Sequence, residues 1–480
     1  MSLETRADAG WATTRFVVGG FGTAGYACVD SLLQVGAEHV IALDDRDSEA
    51  LREKAQILET LGATIKLGEG STTTLPDEVD VVVTSPGWSP NTPLLVQAAE
   101  RGIPIWSEIE LAWRLRDPAN AAPWLCVTGT NGKTTTVQML TSILIAGGHR
   151  AVAAGNVGLP LLEAVMDPEP YDVIAVELSS YQLHYTSSMS AHSAVVLNLA
   201  PDHVDWHGSM EAYAADKGRI YENCQIACVY NVADPATEQL VLDADVIEGC
   251  RAVGFTLGTP AISMVGMVDD LLVDRAFVEQ RASSALELAA LKDVKPPAPH
   301  NVANALAAAA LARAFGVSAT AVRDGLRAFE LDKHRIAHVA DVEGVTYVDD
   351  SKATNPHAAQ ASLLAYEHVV WIAGGQAKGA SFDELVEAAK ARLRGVVLIG
   401  QDRQVIADAL GRHAPDVPVI VVESTDTGAM AQVVAEAAKL AQAGDTVLLA
   451  PGCASWDMFA NYGARGDAFA EAVRRLGSTG

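Results

Sequence analysis

Hydrophobic positions in this chain come in short unbroken runs rather than in strict alternation. Phe16-Val17-Val18, Val40-Ile41-Ala42-Leu43, Val81-Val82-Val83, Leu125-Cys126-Val127, Val173-Ile174-Ala175-Val176 and Val195-Val196-Leu197 each end at a small or polar residue. Most give way to a stretch with helical periodicity, such as residues 26–35 and 137–140. Runs of this length and β-branched content predict strands covered on both faces, as in parallel sheets wrapped by helices. Val345-Thr346-Tyr347-Val348, Val369-Val370-Trp371-Ile372-Ala373, Val396-Val397-Leu398-Ile399 and Thr446-Val447-Leu448-Leu449-Ala450 repeat the pattern toward the C-terminus. Strand-helix alternation throughout predicts an α/β protein. The Ala-rich stretch 305–314 reads as a buried helix, and no fixed-period repeat is visible.

At 480 residues the chain exceeds one ordinary core. The segment Asp117-Pro118-Ala119-Asn120-Ala121-Ala122-Pro123 reads as a linker. We divide the chain into domains 1–120, 121–331 and 332–480. The first is Rossmann-like, the second a P-loop ATPase-like parallel sheet, the third a Rossmann-like doubly wound sheet.

Composition narrows the partners. Lys plus Arg number 34 against 60 Asp plus Glu, a net charge of −26, which repels nucleic acid and anionic membranes. Any anionic substrate must then be held by local cations and backbone amides. No apolar run reaches the roughly 20 residues of a membrane span, and the charged start Met1-Ser2-Leu3-Glu4-Thr5-Arg6-Ala7-Asp8 lacks a signal-peptide core. The expectation is a cytoplasmic protein, working as a monomer. Six scattered cysteines read as reduced thiols; Cys224 and Cys228 are closely spaced, with no His or Cys in view to complete a zinc site.

The first run leads into Gly20, Gly22 and Gly25, a Gly-x-Gly-x-x-Gly turn opening a helix, and the next strand ends at Asp44-Asp45-Arg46. Such a turn lets backbone approach a phosphate, with the acidic residues near a ribose or base. Ser85-Pro86-Gly87 forms another small-residue turn at a strand end. Dinucleotides and diphosphate-linked sugars both fit.

Gly129-Thr130-Asn131-Gly132-Lys133-Thr134-Thr135 follows a strand and opens a helix. Its glycines turn amides toward an anion, Lys133 reaches the outer phosphates, and a Thr134 or Thr135 hydroxyl can hold magnesium. The usual P-loop carries Gly five residues before the Gly-Lys pair; here Val127 stands there. Glu177 ends a strand, and Asp202-His203-Val204-Asp205 follows another, so both can meet the loop at one sheet edge.

The Thr-Gly-Thr-Asn-Gly-Lys-Thr-Thr loop resembles that of the Mur ligase and folylpolyglutamate synthetase superfamily. Glu177-Leu178-Ser179-Ser180, Asp202-His203-Val204-Asp205-Trp206-His207 and Ala215-Asp216-Lys217-Gly218-Arg219 resemble successive Mur ligase motifs. The glycine-rich first block, with Asp350-Ser351-Lys352-Ala353-Thr354-Asn355, Gly374-Gly375-Gln376-Ala377-Lys378 and Cys453-Ala454-Ser455-Trp456, points to the D-glutamate-adding branch. The resemblance covers nearly the whole chain.

It implies an ATP-dependent amide ligase of peptidoglycan precursor synthesis. The carboxylate of UDP-N-acetylmuramoyl-L-alanine becomes an acyl phosphate, which the D-glutamate amine attacks. Lys133, Asn156, His203 and Lys217 would be catalytic. ATP would be held by Gly129, Thr130, Asn131, Gly132, Lys133, Thr134 and Thr135, with Asn301 near adenine and Arg335, Asp350 and Lys352 from the third block. Two magnesium ions would use Thr134, Glu177, His203 and Lys217, the last as a carbamate made from CO2; without the motifs, Lys217 would read as an exposed helical lysine. The UDP-sugar would lie against Gly22, Thr23, Ala24, Asp44, Asp45, Arg46, Ser85, Pro86, Gly87, Asn156, Ser179 and Gln182. D-Glutamate would meet Thr354, Lys378, Ser455 and the backbone at Tyr462, where the family commonly has Phe. Rival readings are a nicotinamide-dependent oxidoreductase using Gly20, Gly22 and Gly25, and a nucleotide-binding switch using Lys133.

Overall fold

The computed structural model describes residues 10–117, 120–331, 333–424 and 426–478. Residues 1–8, read above for a signal peptide, and Pro118 and Ala119 of the linker lie outside them. The chain forms two compact units that divide at Phe329 and Glu330, apart from two short segments near 200 and 298 that group with the second.

The first unit holds two sheets. Strands β1 (Arg15–Gly19), β2 (His39–Asp44), β3 (Thr64–Leu67), β4 (Val81–Thr84) and β5 (Ile105–Ser107) lie in the order β3-β2-β1-β4-β5, all parallel. The reversal of strand order beside β1 makes a crevice at the strands' C-terminal ends, where the Gly20–Gly22 turn lies. Gly25 has a packing reason as well: a Cβ there would come within 1.9 Å of the Gly20 carbonyl oxygen, so only glycine lets the helix Thr23–Gln34 seat against the turn.

The second sheet contains β6 (Trp124–Thr128), β7 (Ala151–Gly155), β8 (Val173–Glu177), β9 (Ser193–Val196), β10 (Ala227–Asn231) and β11 (Arg251–Phe255), all parallel, in the order β11-β10-β9-β6-β8-β7. It continues past β11 through β12 (Met264–Val268), β13 (Leu271–Asp274) and β14 (Leu286–Ala290), where β12, β13 and β14 pair antiparallel. The helix Pro299–Ala314 buries Ala305 through Ala312, as the Ala-rich pattern predicts.

The second unit carries β15 (Ala337–Val342), β16 (Val345–Asp349), β17 (Val369–Gly374), β18 (Leu393–Ile399), β19 (Val419–Val421) and β20 (Thr446–Leu449) in the order β15-β16-β20-β17-β18-β19. All pairs are parallel except β15 with β16. Among the described residues no helix is long and apolar enough to cross a membrane.

Candidate active site

The central strand β6 delivers the phosphate loop to the C-terminal edge of the second sheet, between β8 and β9. Gly132 is confined to glycine twice over: φ is +86°, and a Cβ would lie 2.4 Å from Asn304 Oδ1. The loop is clamped from β9's end, where the Asn198 carbonyl accepts from Thr130 N (3.0 Å), its Oδ1 from Asn131 N (2.9 Å), and its Nδ2 donates to the Asn131 carbonyl (3.0 Å). Lys133 Nζ donates back to the Gly129 and Thr130 carbonyls at 2.8 and 2.9 Å.

Lys217 reaches the same place. It is 2% exposed, not a surface lysine, and its Nζ donates to the Gly129 carbonyl at 3.0 Å and lies over the Tyr213 ring. Two ammonium groups thus share one carbonyl oxygen. Glu177, buried at the end of β8, accepts from Asn156 Nδ2 at 2.9 Å through Oε1, while its Oε2 has no hydrogen-bond partner among the described residues. A buried carboxylate oxygen without a proton donor suits a cation. His203 caps a short helix at positive φ and packs its ring on Tyr181. Thr134 and Thr135 are buried in the first turn of the helix Lys133–Ala146. Asn301, also buried, spends its amide on the Pro296 carbonyl.

Asp216, next to Lys217, is bracketed by histidines: His184 Nδ1 at 2.8 Å and His207 Nδ1 at 2.9 Å, with His207 Nε2 on Ser180 Oγ. Burial opposes its charge, yet the two histidine hydrogen bonds prevail and hold its pKa at about 2. The carboxylate therefore pins the helix that carries Lys217 to the Ser180–His184 turn.

A cavity of about 240 Å³ joins the two sheets of this unit, lined by Thr23, Ala24, Pro86, Glu108, Asn156 and Gln182 among others. Asn156 thus faces both this cavity and Glu177. Gln182 closes a capping box with Ser179 and donates through Nε2 to Glu108 Oε1 at 2.7 Å. At the crevice of the first sheet, Ser85 Oγ donates to the Gly20 carbonyl and Gly87 follows in a turn at positive φ. Asp44 accepts from Phe21 N at 2.7 Å and grips the Arg46 guanidinium; burial opposes its ionisation, but these bonds lower its pKa overall. Asp45 turns to Thr72 instead. Arg46 keeps most of its side chain in solvent beside Gly22.

In the second unit, three separated segments are laced together. Gly452 N bonds the Ala353 carbonyl, and Gln376 and Ala454 exchange backbone bonds, so Thr354, Lys378 and Ser455 come from neighbouring turns. Buried Arg465 ties Ser351 Oγ, the Ser351 carbonyl and the Cys453 carbonyl, while Ser351 Oγ donates to the Tyr462 carbonyl. Lys352 Nζ lies over the Tyr462 ring and Lys378 Nζ over Trp456. Asp350 is buried, accepting from Ser362 Oγ and Ile336 N; burial lifts its pKa to about 7 against the field of Arg335.

Three family domains match in chain order: Mur ligase MurD-like, N-terminal domain at 14–107; Mur ligase middle domain at 127–312; Mur ligase, glutamate ligase domain at 334–453. The chain is 66% identical to the UDP-N-acetylmuramoylalanine--D-glutamate ligase of Streptomyces avermitilis, over 98% of this chain and 99% of that one. It is 45% identical to the protein of that name in Mycolicibacterium smegmatis, over 96% of each. The chain belongs to the Mur ligase family. Its fold matches a pseudomurein peptide ligase type C from Methanothermus fervidus (TM-score 0.59, 17% identity, 96% and 100% of the two chains). It likewise matches the UDP-N-acetylmuramate-alanine ligase of Thermotoga maritima (0.56, 19%, 97% and 100%).

Several residues that shape this Mur ligase's site escape a sequence reading. Asn198, Asn304, Asp216, Glu108 and Arg465 act on partners tens of residues away. Asp216 lies inside a Mur ligase motif, Asn304 three residues past Asn301 in another, and Asn198 at the strand end that leads to Asp202-His203; Glu108 and Arg465 carry no local signal. Glu108 is fully buried, and burial lifts its pKa from 4.5 to about 7 despite the Gln182 hydrogen bond. A raised acid pKa favours the folded state while both states are protonated, so its stabilisation is present below pH 4.5 and is lost as pH rises through about 7. Glu108→Gln should remove that dependence. Measured by urea unfolding, the variant's stability relative to the parent should rise by about 3 kcal/mol between about pH 4 and pH 8. A difference that stays flat with pH would show that Glu108 ionises normally.

Proposed function

We propose that this Mur ligase joins D-glutamate to UDP-N-acetylmuramoyl-L-alanine with ATP, by way of an acyl phosphate, in the cytoplasm where these precursors are made. The observation that carries the reading is Asn156, which faces the inter-sheet cavity on one side and hydrogen-bonds Glu177 on the other, joining an acceptor site to a nucleotide site. The chain's high identity over full length to ligases bearing that name supports the same reaction.

In this reading the UDP-sugar lies along the first sheet's crevice, with Gly22, Thr23 and Ala24 offering the helix start to the diphosphate, Ser85, Pro86 and Gly87 flanking it, and Arg46 adding a cation. Asp44 holds Arg46 and the turn in place, and Asp45 braces the adjoining loop. The acceptor carboxylate then enters the cavity beside Asn156, Ser179 and Gln182. Gly129 through Thr135 wrap the ATP phosphates with backbone amides, and Lys133 shifts from loop carbonyls to the transferred phosphoryl group. Asn301 approaches adenine, and the family resemblance adds Arg335, Asp350 and Lys352 as nucleotide-binding residues.

The residues fit magnesium: Thr134, Glu177 with its unpartnered Oε2, His203 and Lys217 as a carbamate would hold it, and it would neutralise phosphate oxygens. Carbamylation replaces the Lys217 ammonium by an anion: the ammonium gives one proton to solvent, CO2 adds to the neutral amine, and a second proton leaves the nitrogen. Its burial against the phosphate loop supports that role, since two unmodified ammonium groups on one carbonyl repel each other. Thr354, Lys378 and Ser455 take the D-glutamate carboxylates, with the Tyr462 backbone assisting. The amine attacks the acyl phosphate carbon, and inorganic phosphate leaves from the tetrahedral intermediate.

Phosphate release with the UDP-sugar-alanine acceptor, assayed against a panel of D- and L-amino acids, tests the assignment. D-Glutamate should stand alone as an efficient co-substrate. Release with L-glutamate and none with D-glutamate would overturn it.

A further inference from the structure

Sequence spacing left Cys224 and Cys228 without a third ligand; the fold supplies one. Cys224 lies in the turn before β10, Cys228 is its second residue, and Cys250 immediately precedes β11, the parallel neighbour of β10. The three Sγ atoms lie within 4.8 Å of one another, and those of Cys228 and Cys250 are 3.7 Å apart. A tetrahedral ion with metal–sulfur bonds of about 2.3 Å sets its sulfurs about 3.8 Å apart.

The backbone holds the cluster in this form. Ile247 N donates to the Cys224 carbonyl, Cys250 N to the Ile247 carbonyl, Arg251 N to the Ile226 carbonyl and Asn223 N to the Asp245 carbonyl, all at 2.8 to 3.0 Å. Cys224 and Cys228 are buried, whereas Cys250 is partly exposed, so solvent meets the cluster at Cys250. β10 runs parallel to β9 and β9 to β6, so these cysteines, at the strands' N-terminal ends, occupy the opposite sheet edge from the phosphate loop. None of the residues assigned above to the reaction takes part.

We propose that Cys224, Cys228 and Cys250 form a three-thiolate site for a soft divalent cation of the zinc group, with water in the fourth position. Sulfur donors select zinc or cadmium over magnesium, so the site and the reaction's own cation do not compete. Ligation takes each cysteine as its thiolate. On binding, the thiol protons pass to solvent, three sulfur–metal bonds form, aqua ligands leave, and no electrons are transferred.

The test uses the full-length reduced protein, stripped with chelator, in excess magnesium and titrated anaerobically with cadmium. The expected result is a thiolate-to-cadmium charge-transfer absorption saturating at one equivalent, with Cys224, Cys228 and Cys250 protected from alkylation as read by mass spectrometry. Cys250→Ser, at the partly exposed position, should abolish the band, while Cys453→Ser keeps it. Protection of the wild-type thiols needs no variant and stands even if Cys250→Ser folds poorly. No band, a band that survives Cys250→Ser, or alkylation unaffected by cadmium would overturn the site. So would a stripped, reduced protein that closes a Cys228–Cys250 disulfide on mild oxidation but takes up no cadmium.

Discussion

Lys133→Ala is expected to lower turnover by about 10²- to 10³-fold, the loss that follows removal of one cation from charge developing in phosphoryl transfer, the role proposed for it. The fold should survive it. Lys133 Nζ donates to carbonyls of its own loop, Gly129 and Thr130, and the side chain is partly exposed. The helix Lys133–Ala146 is held instead by a buried face that includes Val137, Met139, Leu140 and Ile143. The measurement is kcat in the amino-acid-dependent phosphate assay beside a melting curve. A melting temperature within a few degrees of the parent, with kcat down by at least two decades, meets the expectation. Near-normal kcat in that folded variant would remove Lys133 from phosphoryl transfer.

In the proposed carbamate role, Lys217→Ala should cost on the order of 10²-fold or more, because a metal ligand worth several kcal/mol would be lost. Its burial sharpens the test, since truncating any buried side chain destabilises and an activity loss alone would be ambiguous. Chemical rescue separates the two causes. A carbamate leaves behind a space and a need for anionic oxygen, so acetate or formate should restore part of the turnover in Lys217→Ala and do nothing for the wild type. Removing dissolved CO2 should lower wild-type activity, and bicarbonate should restore it. Full activity in the unsupplemented variant, or wild-type activity indifferent to CO2, would end the carbamate assignment.

The sequence by itself determined the elements whose causes are local. A continuous apolar run followed by Gly-Thr-Asn-Gly-Lys-Thr-Thr dictates a strand, a tight anion-binding turn and a helix start, because hydrophobic burial, glycine conformation and helix amides all act within a few residues. The Gly20-Gly22-Gly25 turn and the central strands β16, β17, β18 and β20 were legible for the same reason. The edge elements were not. β15 is half exposed and carries no unbroken apolar run, β19 is only the three-residue run Val419-Ile420-Val421 on a largely exposed edge, and β12 through β14 form an antiparallel extension whose pairing no local period announces. Tertiary structure alone decided which polar groups meet. Seating β6 between β8 and β9 brings Glu177 and Asn198 to the phosphate loop. Packing the Met210–Gly218 helix against the Ser180–His184 turn sets Asp216 between two histidines and carries Lys217 to the Gly129 carbonyl. Adjacent parallel strands bring Cys250 to Cys228, and Arg465 ties the turns at Ser351 and Cys453 together. Most of these contacts span tens of residues, and strand order and helix packing, which sequence periodicity does not encode, fix them.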